Sequence, residues 1–151
     1  MKATDLLREE HKGALAILNG MVNATSAERK SELFSQLKVG LPAHAGIEEE
    51  VFYPALVSAL GESGAALLKH DNDRHDNVKR LFGALLGMTI GQGKFDETVR
   101  ELRDAVDVHA QEEDSNWFDT VDRHLSQADN EALGKKLLTR REELFRQLMH
   151  T

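Results

Sequence analysis

The chain has 151 residues, a net charge of −7 with acidic and basic residues interspersed, and no cysteine. This composition excludes disulfides, zinc–thiolate sites, iron–sulfur clusters and thiol catalysis, and it argues against a nucleic-acid partner. The start, Met1 to Asp5, has no apolar leader, and the longest uncharged stretch, 81–93, is shorter than the roughly 20 residues of a membrane span. We therefore expect a soluble cytoplasmic protein with no membrane partner.

The first half of the chain predicts two helices. The first runs from about Thr4 to Ala24, with apolar residues at helical spacing around His11, so that His11 lies on the buried stripe. The second runs from about Ser26 to Leu60. Pro42 interrupts it two residues before His44, where a lost backbone hydrogen bond is expected to kink the helix.

The second half repeats this arrangement after a four-residue break at 61–64. A third helix is predicted over 65–88, with His75 in line with Leu68, Val78, Phe82 and Leu86. After a Gly-Gln-Gly turn at 91–93, a fourth helix over 96–125 carries His109 on its buried face. These four helices predict an all-α, up-and-down four-helix bundle over residues 1–125.

A fifth helix is predicted over residues 126–151, packed on the same domain. Ser126 with Asp129 is typical of a helix-starting capping pattern. Leucines at helical spacing follow, and the lack of inward-facing polar residues predicts that this helix contributes packing and no chemistry.

Four histidines recur in register in the two halves. His11 to His75 spans 64 residues and His44 to His109 spans 65. His44 is followed one helical turn later by Glu48, and His109 by Glu113, so each pair lies on one helix face. In a bundle of two similar halves, all six side chains point inward from four helices.

Four imidazoles and two carboxylates form a ligand set for two transition-metal ions. If each ion takes two histidines and both glutamates bridge, coordination positions stay open for an exogenous ligand, which indicates reactivity. The nitrogen and oxygen donors suit iron best and manganese next, and zinc also tolerates them. A single histidine on an apolar face is more often a hydrogen-bonded core residue, but the repeat of four favours metal binding.

Several neighbouring residues are expected to have other roles. The acidic neighbours of Glu48 and Glu113 are predicted to be solvent-exposed, with Asp114 as a fallback ligand. Tyr53 would point away from His44 on a straight helix, which favours half-buried packing, although the bend expected at Pro54 leaves open a contact with the metal ligands or with the metal itself. The three histidines outside the repeat are predicted to lie on the surface: His70, His124 and His150.

These residues resemble the hemerythrin-like family, the HHE cation-binding domains, over about residues 5–125. The resemblance rests on His11, on the segment 44–48 with the following 51–54, on His75 and on the segment 109–113. It implies a non-heme di-iron centre with an oxo or hydroxo bridge. His11 and His44 would bind one iron, His75 and His109 the other, and Glu48 and Glu113 would bridge; some relatives also bring a tyrosine to the metals.

One departure from the family pattern bears on function. Oxygen-carrying hemerythrins place a fifth histidine one turn after the third, and Lys79 stands there in this chain. The carriers also have an aspartate where Asp114 stands, whereas Glu113 fits the HHE pattern. With one donor fewer, the centre should be more open, which favours chemistry or sensing with dioxygen, peroxide or nitric oxide over reversible oxygen storage. Peroxide removal in oxidative stress, an iron or oxygen sensor without turnover, and a bundle with a vestigial site remain as alternatives.

Overall fold

The structure is a computed structural model that describes residues 1–150, with His70 described through its backbone alone. The described residues contain helices and turns and no strand. Two five-residue π-helical turns, Glu48–Phe52 and Glu113–Trp117, each lie directly between two α-helices. The α-helices are α1 Ala3–Asn23, α2 Ala27–Ile47, α3 Tyr53–Leu60, α4 Glu62–Leu86, α5 Gly93–Glu112, α6 Phe118–His124 and α7 Gln127–Met149.

The second predicted helix continues unbroken past Pro42. Helix α2 contains Pro42 and ends only at Ile47, so the predicted interruption at the proline is wrong. A proline removes one backbone hydrogen bond, and the buried neighbours Leu41 and Ala43 hold the segment in the bundle despite that loss. The irregularity in this helix lies instead at Glu48, where the π turn begins.

Glycines form the joints on both sides of α4. Gly61 has φ of +59° and Gly91 has φ of +98°, and residues other than glycine rarely adopt these backbone conformations. Only Gly61 separates α3 from α4, because the new helix already begins at Glu62. The predicted four-residue break is therefore a single residue, and the expected start at residue 65 is three residues late.

The helices assemble as the predicted four-helix bundle with one added helix. Helix α1 packs on α2 and α5, and α4 packs on α5 and on α3. Helix α7 lies against α2 and α1. The all-α bundle with an additional C-terminal helix is confirmed, while the domain boundary near residue 125 stays a prediction.

Two apolar clusters fill the bundle, and the repeated histidines lie between them. Along α1, His11 falls between Leu7 of one cluster and Leu18 of the other; along α2, His44 falls between Leu41 and Ile47. The aromatic pairs after each glutamate all belong to one cluster, and all are buried: Phe52, Tyr53, Trp117 and Phe118. Leu86, expected on the same buried face as His75, is instead 54% exposed at the end of α4.

Helix α7 begins as predicted but carries inward polar groups. The Ser126 hydroxyl accepts a hydrogen bond from the Asp129 amide at 3.1 Å, which confirms the cap. Asn130 is buried and donates to the carboxylate of Asp122 at 2.9 Å, and Arg141 reaches Glu10 on α1. The expectation that this helix has no inward polar residues is therefore wrong.

The described part of the chain, residues 1–150, contains no helix with the length and apolar character needed to cross a membrane.

Candidate metal centre

The six side chains predicted to bind metal meet at the middle of the bundle. Each comes from a buried or nearly buried position; Glu48 and Glu113 have no exposed surface at all. Nε2 of His44 lies 2.6 Å from Oε1 of Glu48, and Nε2 of His11 lies 3.1 Å from Oε1 of Glu113. Nε2 of His109 lies 3.0 Å from Oε1 of Glu113 and 3.9 Å from Oε1 of Glu48. The donors therefore converge on one region.

These donors form two groups that share a carboxylate. His11, His44, Glu48 and Glu113 each offer a ligand atom within 4.8 Å of the others. Glu48 also belongs to a second group of the same compactness, together with His75 and His109. The arrangement can accommodate one ion on each side of Glu48.

Five buried donor atoms in this region face one another as ion pairs and have no other hydrogen-bond partner. They are Nε2 of His11, His44 and His109 and Oε1 of Glu48 and Glu113. Ligand atoms about 3 Å apart are what two adjacent bonds of about 2.0–2.2 Å produce at a transition-metal ion. The residues present therefore fit a bound metal.

A carboxylate from another segment lies at the outer ring nitrogen of every one of the four histidines. Such a partner fixes the Nδ1–H tautomer and leaves Nε2 free to bind a metal. The Nδ1–oxygen distances are 2.7 Å for His44 with Glu10, 2.9 Å for His11 with Asp114, 3.2 Å for His109 with Asp71 and 3.3 Å for His75 with Glu49.

These contacts change the expected roles of the acidic neighbours. Asp114, the fallback ligand, lies at the outer nitrogen of His11 and not at the metal region. Glu49 is exposed as predicted but also contacts His75. Glu112, expected to be exposed, is half-buried beside Arg74. His124 and His150 are exposed as predicted, while the side chain of His70 lies outside the described residues.

Both π-helical turns begin at a glutamate of the centre. A π turn replaces the usual i to i+4 hydrogen bond with one from i to i+5, and such turns occur frequently at functional sites. Side chains five apart then come together, so Tyr53 reaches Glu48. Its hydroxyl donates to Oε2 of Glu48 at 2.9 Å and lies 3.3 Å from Oε2 of Glu113. In the second half Phe118 takes the matching place and stacks on His11, with centroids 5.7 Å apart.

The expectation that Tyr53 is a half-buried packing residue is therefore wrong. That expectation assumed a straight helix with about 100° per residue, and the π turn rotates Tyr53 toward the centre. Its side chain is 9% exposed and touches both glutamates through their Oε2 atoms. The two Oε1 atoms face the Nε2 atoms of the histidines instead.

Two of the histidines are strongly basic in the metal-free protein. Burial alone would lower the pKa of His44, but the charge of Glu48 and the hydrogen bond to Glu10 outweigh it and raise this pKa to about 10. Burial would also lower the pKa of His109, but the hydrogen bonds to Asp71 and to the two glutamates outweigh it and raise this pKa to about 12. Metal binding must therefore displace protons from these rings.

The remaining groups titrate according to their partners. Burial and the adjacent charge of Glu48 raise the pKa of Glu113. Although burial opposes it, the positive charge of His44 holds the pKa of Glu48 well below its usual range. Burial and both glutamate charges raise the pKa of Tyr53, so it stays a neutral phenol. Burial lowers the pKa of His75.

A cavity of about 380 Å³ adjoins the histidines. Its walls are mostly apolar, and all four repeated histidines line it. Lys79, which stands where oxygen carriers have a fifth histidine, lies at this cavity one turn after His75 and forms an ion pair with Glu49. The apolar walls come from several helices: Leu41, Val78, Phe82, Val106 and Leu144.

Three polar residues of the centre were missed in the sequence. Glu10 directly precedes His11, and Asp71 stands one helical turn before His75, so both were available as charged residues beside a predicted ligand. Arg141 bonds to Glu10 from α7. Nothing in the sequence indicates this contact of Arg141, because helical periodicity does not tell which residues of two distant helices meet.

Comparisons with known proteins agree with this arrangement. The family described as the Hemerythrin HHE cation binding domain matches residues 2–121. The crystal structure of a hemerythrin HHE cation binding domain-containing protein from Mycobacterium kansasii superposes with a TM-score of 0.84 at 24% identity, covering 99% of this chain and 91% of that one.

Sequence relatives extend the comparison. A DNA nickase of Nostoc is 29% identical over 87% of this chain, which spans 36% of the nickase. An uncharacterised hemerythrin-like protein of Schizosaccharomyces pombe is 23% identical over 85% of this chain, which spans 64% of that protein. An uncharacterised protein of Mycobacterium tuberculosis is 26% identical over 95% of this chain and 88% of its own length.

The family match covers most of the chain, including the four histidines and two glutamates that meet in the bundle. The protein is a member of the hemerythrin HHE cation-binding domain family and a metal-binding helical bundle.

Proposed function

We propose that the protein is a non-heme di-iron protein that binds or reacts with dioxygen, peroxide or nitric oxide, with peroxide removal as one activity of this class. His11 and His44 would hold one ion, and His75 and His109 the other. Glu48 and Glu113 would lie between the ions and bridge them, together with an oxo or hydroxo group. The observation that carries this proposal is that Glu48 belongs to two compact donor groups, one with His11 and His44 and one with His75 and His109.

The donor atoms favour iron over other metals. The centre offers imidazole nitrogens and carboxylate oxygens, and the chain has no cysteine that could supply sulfur. A mixed nitrogen and oxygen set with open positions is typical of non-heme iron, with manganese and zinc as less favoured occupants. The Nε2 and Oε1 atoms have no hydrogen-bond partner besides one another, which supports occupancy of the centre by a metal.

The surroundings favour a small neutral ligand and proton-coupled chemistry. Iron, when bound, supplies a change of oxidation state and open coordination positions. The apolar cavity beside the histidines admits a neutral molecule such as peroxide, dioxygen or nitric oxide. Tyr53 holds a proton on its hydroxyl between the two glutamates. Lys79 pairs with Glu49 and so adds no donor to the side of His75.

A second candidate is a sensor without turnover, in which occupancy changes a partner contact. The contact between α7 and α1 through Arg141 and Glu10 favours it, because Glu10 also touches His44. The activity in the name of the Nostoc nickase is not proposed for this chain, because the shared segment covers 36% of that protein and the net charge here is −7.

The proposal is tested on protein expressed with ample iron and purified in air. We expect about two irons per chain, as the two donor groups imply, and an oxo-to-iron charge-transfer absorption. The protein is then reduced anaerobically and given dioxygen, peroxide or nitric oxide in separate experiments. Catalytic loss of peroxide supports the enzyme, whereas a stable adduct without turnover supports the sensor. Protein without iron after this preparation contradicts the proposal.

A further inference from the structure

Helix α7 lies outside the residues matched by the family, yet it reaches a histidine of the centre through one intermediary. Arg141 Nη1 donates to Oε2 of Glu10 at 2.8 Å, and Oε1 of the same Glu10 lies 2.7 Å from Nδ1 of His44. The family match ends at residue 121, and α7 begins at Gln127. The two oxygens of one carboxylate therefore connect the last helix to the metal region.

This connection is sheltered and geometrically constrained. The side chains of Arg141, Glu10 and His44 are 27%, 13% and 12% exposed. The guanidinium of Arg141 also lies over the ring of Phe145, 5.5 Å from its centroid, which restricts its orientation. A long side chain held in this way at a partly buried carboxylate directs that carboxylate more firmly than a mobile surface lysine would.

Helix α7 also packs closely on α2 at the same place. Leu144, one turn after Arg141, fills the space above Gly46, two residues from His44; a Cβ added at Gly46 would come within 2.8 Å of Leu144 Cδ1. Leu144 also lines the cavity beside the histidines. Leu144 thus holds α7 on α2 beside His44, one turn from the arginine that reaches Glu10.

We infer that Arg141 is a positioning residue for the metal centre: it holds Glu10 against Nδ1 of His44, so that Nε2 of His44 faces Glu48 and α7 governs how firmly the ion at His44 is retained. The inference rests on the di-iron centre proposed above. It adds that the C-terminal helix, outside the family domain, is part of the metal-holding structure. Glu10 is the group through which Arg141 acts.

Arg140 offers a matched control on the same helix. It bonds to Glu50 at 2.6 Å, and its side chain is 30% exposed, close to the 27% of Arg141. Both arginines thus tie α7 to another helix by an ion pair, but the partner of Arg140 makes no contact with a histidine in the described structure. If a substitution acts only by loosening α7 from the bundle, replacing either arginine should have the same effect.

The first measurement is the rate at which iron is lost from loaded protein to an excess of chelator. Loss of an outer hydrogen-bond partner of a metal ligand typically weakens metal binding about 10–100-fold. We expect Arg141→Met to release the ion at His44 about tenfold faster, Arg140→Met to match the wild type, and Arg141→Lys to restore part of the retention. In a Glu10→Ala background, Arg141→Met should add no further effect.

The second measurement needs no metal. Nitrogen-15 spectra of the imidazoles, with His44 assigned through a His44→Gln variant, report whether Nδ1 of His44 carries a hydrogen-bonded proton. We expect this signal in the wild type and in Arg140→Met, and its loss or shift in Arg141→Met. Circular dichroism checks that all variants keep their helices.

The outcomes separate this inference from the proposed function. Equal iron release from Arg141→Met and Arg140→Met, or an unchanged Nδ1 signal in Arg141→Met, overturns the positioning role. Wild-type protein that holds no iron contradicts the di-iron proposal, and the imidazole spectra still decide whether Arg141 orients His44.

Discussion

The hydroxyl of Tyr53 donates a hydrogen bond of 2.9 Å to Oε2 of Glu48, five residues earlier in the same helical segment. On a regular α-helix residues five apart do not share a face, so this contact depends on the π turn that starts at Glu48. The same hydroxyl lies 3.3 Å from Glu113. The irregular turn therefore places a neutral phenol between the two carboxylates of the centre.

The Tyr53→Phe variant should destabilise the metal-free protein more than the loaded one. The variant keeps the ring against Trp117, 5.7 Å away, but removes the donor to two buried carboxylates. We expect the free energy of unfolding of the metal-free protein to fall by about 1–3 kcal/mol. Bound metal supplies positive charge to the same carboxylates, so the loaded protein should lose less. Denaturant unfolding with and without iron measures both values.

Thr98→Val is the control for this prediction. Its hydroxyl is also buried, but it donates to the carbonyl of Lys94 within its own helix, away from the centre. The effect of this variant should be the same with and without iron. If Tyr53→Phe lowers the free energy of unfolding equally in the metal-free and the iron-loaded protein, its hydroxyl does not serve the metal centre.

Replacing His109 by alanine should remove metal and lower thermal stability. His109 is 5% exposed, and its Nε2 lies near both central glutamates. A ligand that binds only the folded protein stabilises it, so losing the ion lowers the melting temperature. His124 is exposed and bonds to the backbone of Thr120, so His124→Ala should change neither property. Iron analysis and calorimetry compare the two variants, and similar results for both would remove the basis for the assigned site.

Metal binding should release protons, and metal affinity should rise with pH. The folded, metal-free pKa values of His44 and His109 are about 10 and about 12, above the unfolded value of 6.5. Both rings are therefore protonated near neutral pH. The stability that they give the metal-free protein is fully present below 6.5 and is lost as pH rises through 10 and then 12. A metal must displace these protons, which becomes easier as pH rises.

Calorimetric titration with metal in buffers of different ionisation enthalpy measures this release. The apparent binding enthalpy should vary linearly with the buffer enthalpy, and the slope gives the number of protons released. An enthalpy that is independent of the buffer would mean that the histidines are already neutral before the metal binds.

Asp71→Asn should weaken metal binding without unfolding the protein. Asp71 is 2% exposed, and its Oδ1 lies 3.2 Å from Nδ1 of His109. Asparagine keeps an acceptor oxygen but removes the charge that favours the correct tautomer, so we expect about tenfold lower metal affinity. Asp73→Asn, at an exposed position on the same helix, is the control. Competition with a chelator of known affinity measures the metal affinity of both variants. Identical affinities for Asp71→Asn and Asp73→Asn would limit Asp71 to a packing role.

The sequence was sufficient to predict the bundle and the convergence of the histidines. His44 and Glu48 stand one turn apart among apolar residues, and that spacing puts both on the buried face of one helix. The repeat in the second half then predicts the matching pair from the opposite side of the bundle. These features depend on periodicity within a helix, which a sequence displays directly.

The contacts that orient the centre could not be predicted in this way. The π turns at Glu48 and Glu113 consist of residues that also suit an α-helix, and their backbone angles stay in the right-handed helical region at both ends. Nothing local distinguishes them. The bond between Glu10 and Arg141 joins residues 131 positions apart, and it depends on the relative height of two helices. Leu144 of α7 packs over Gly46, and only the packed structure shows that these two residues meet.

The most direct test of the two-ion centre is anomalous diffraction at the iron edge from crystals of the iron-loaded protein. We expect two peaks inside the bundle, one beside Nε2 of His11 and His44 and one beside His75 and His109, with Glu48 adjacent to both. A single peak, a peak away from these side chains, or none in protein shown to contain iron would contradict the two-ion centre.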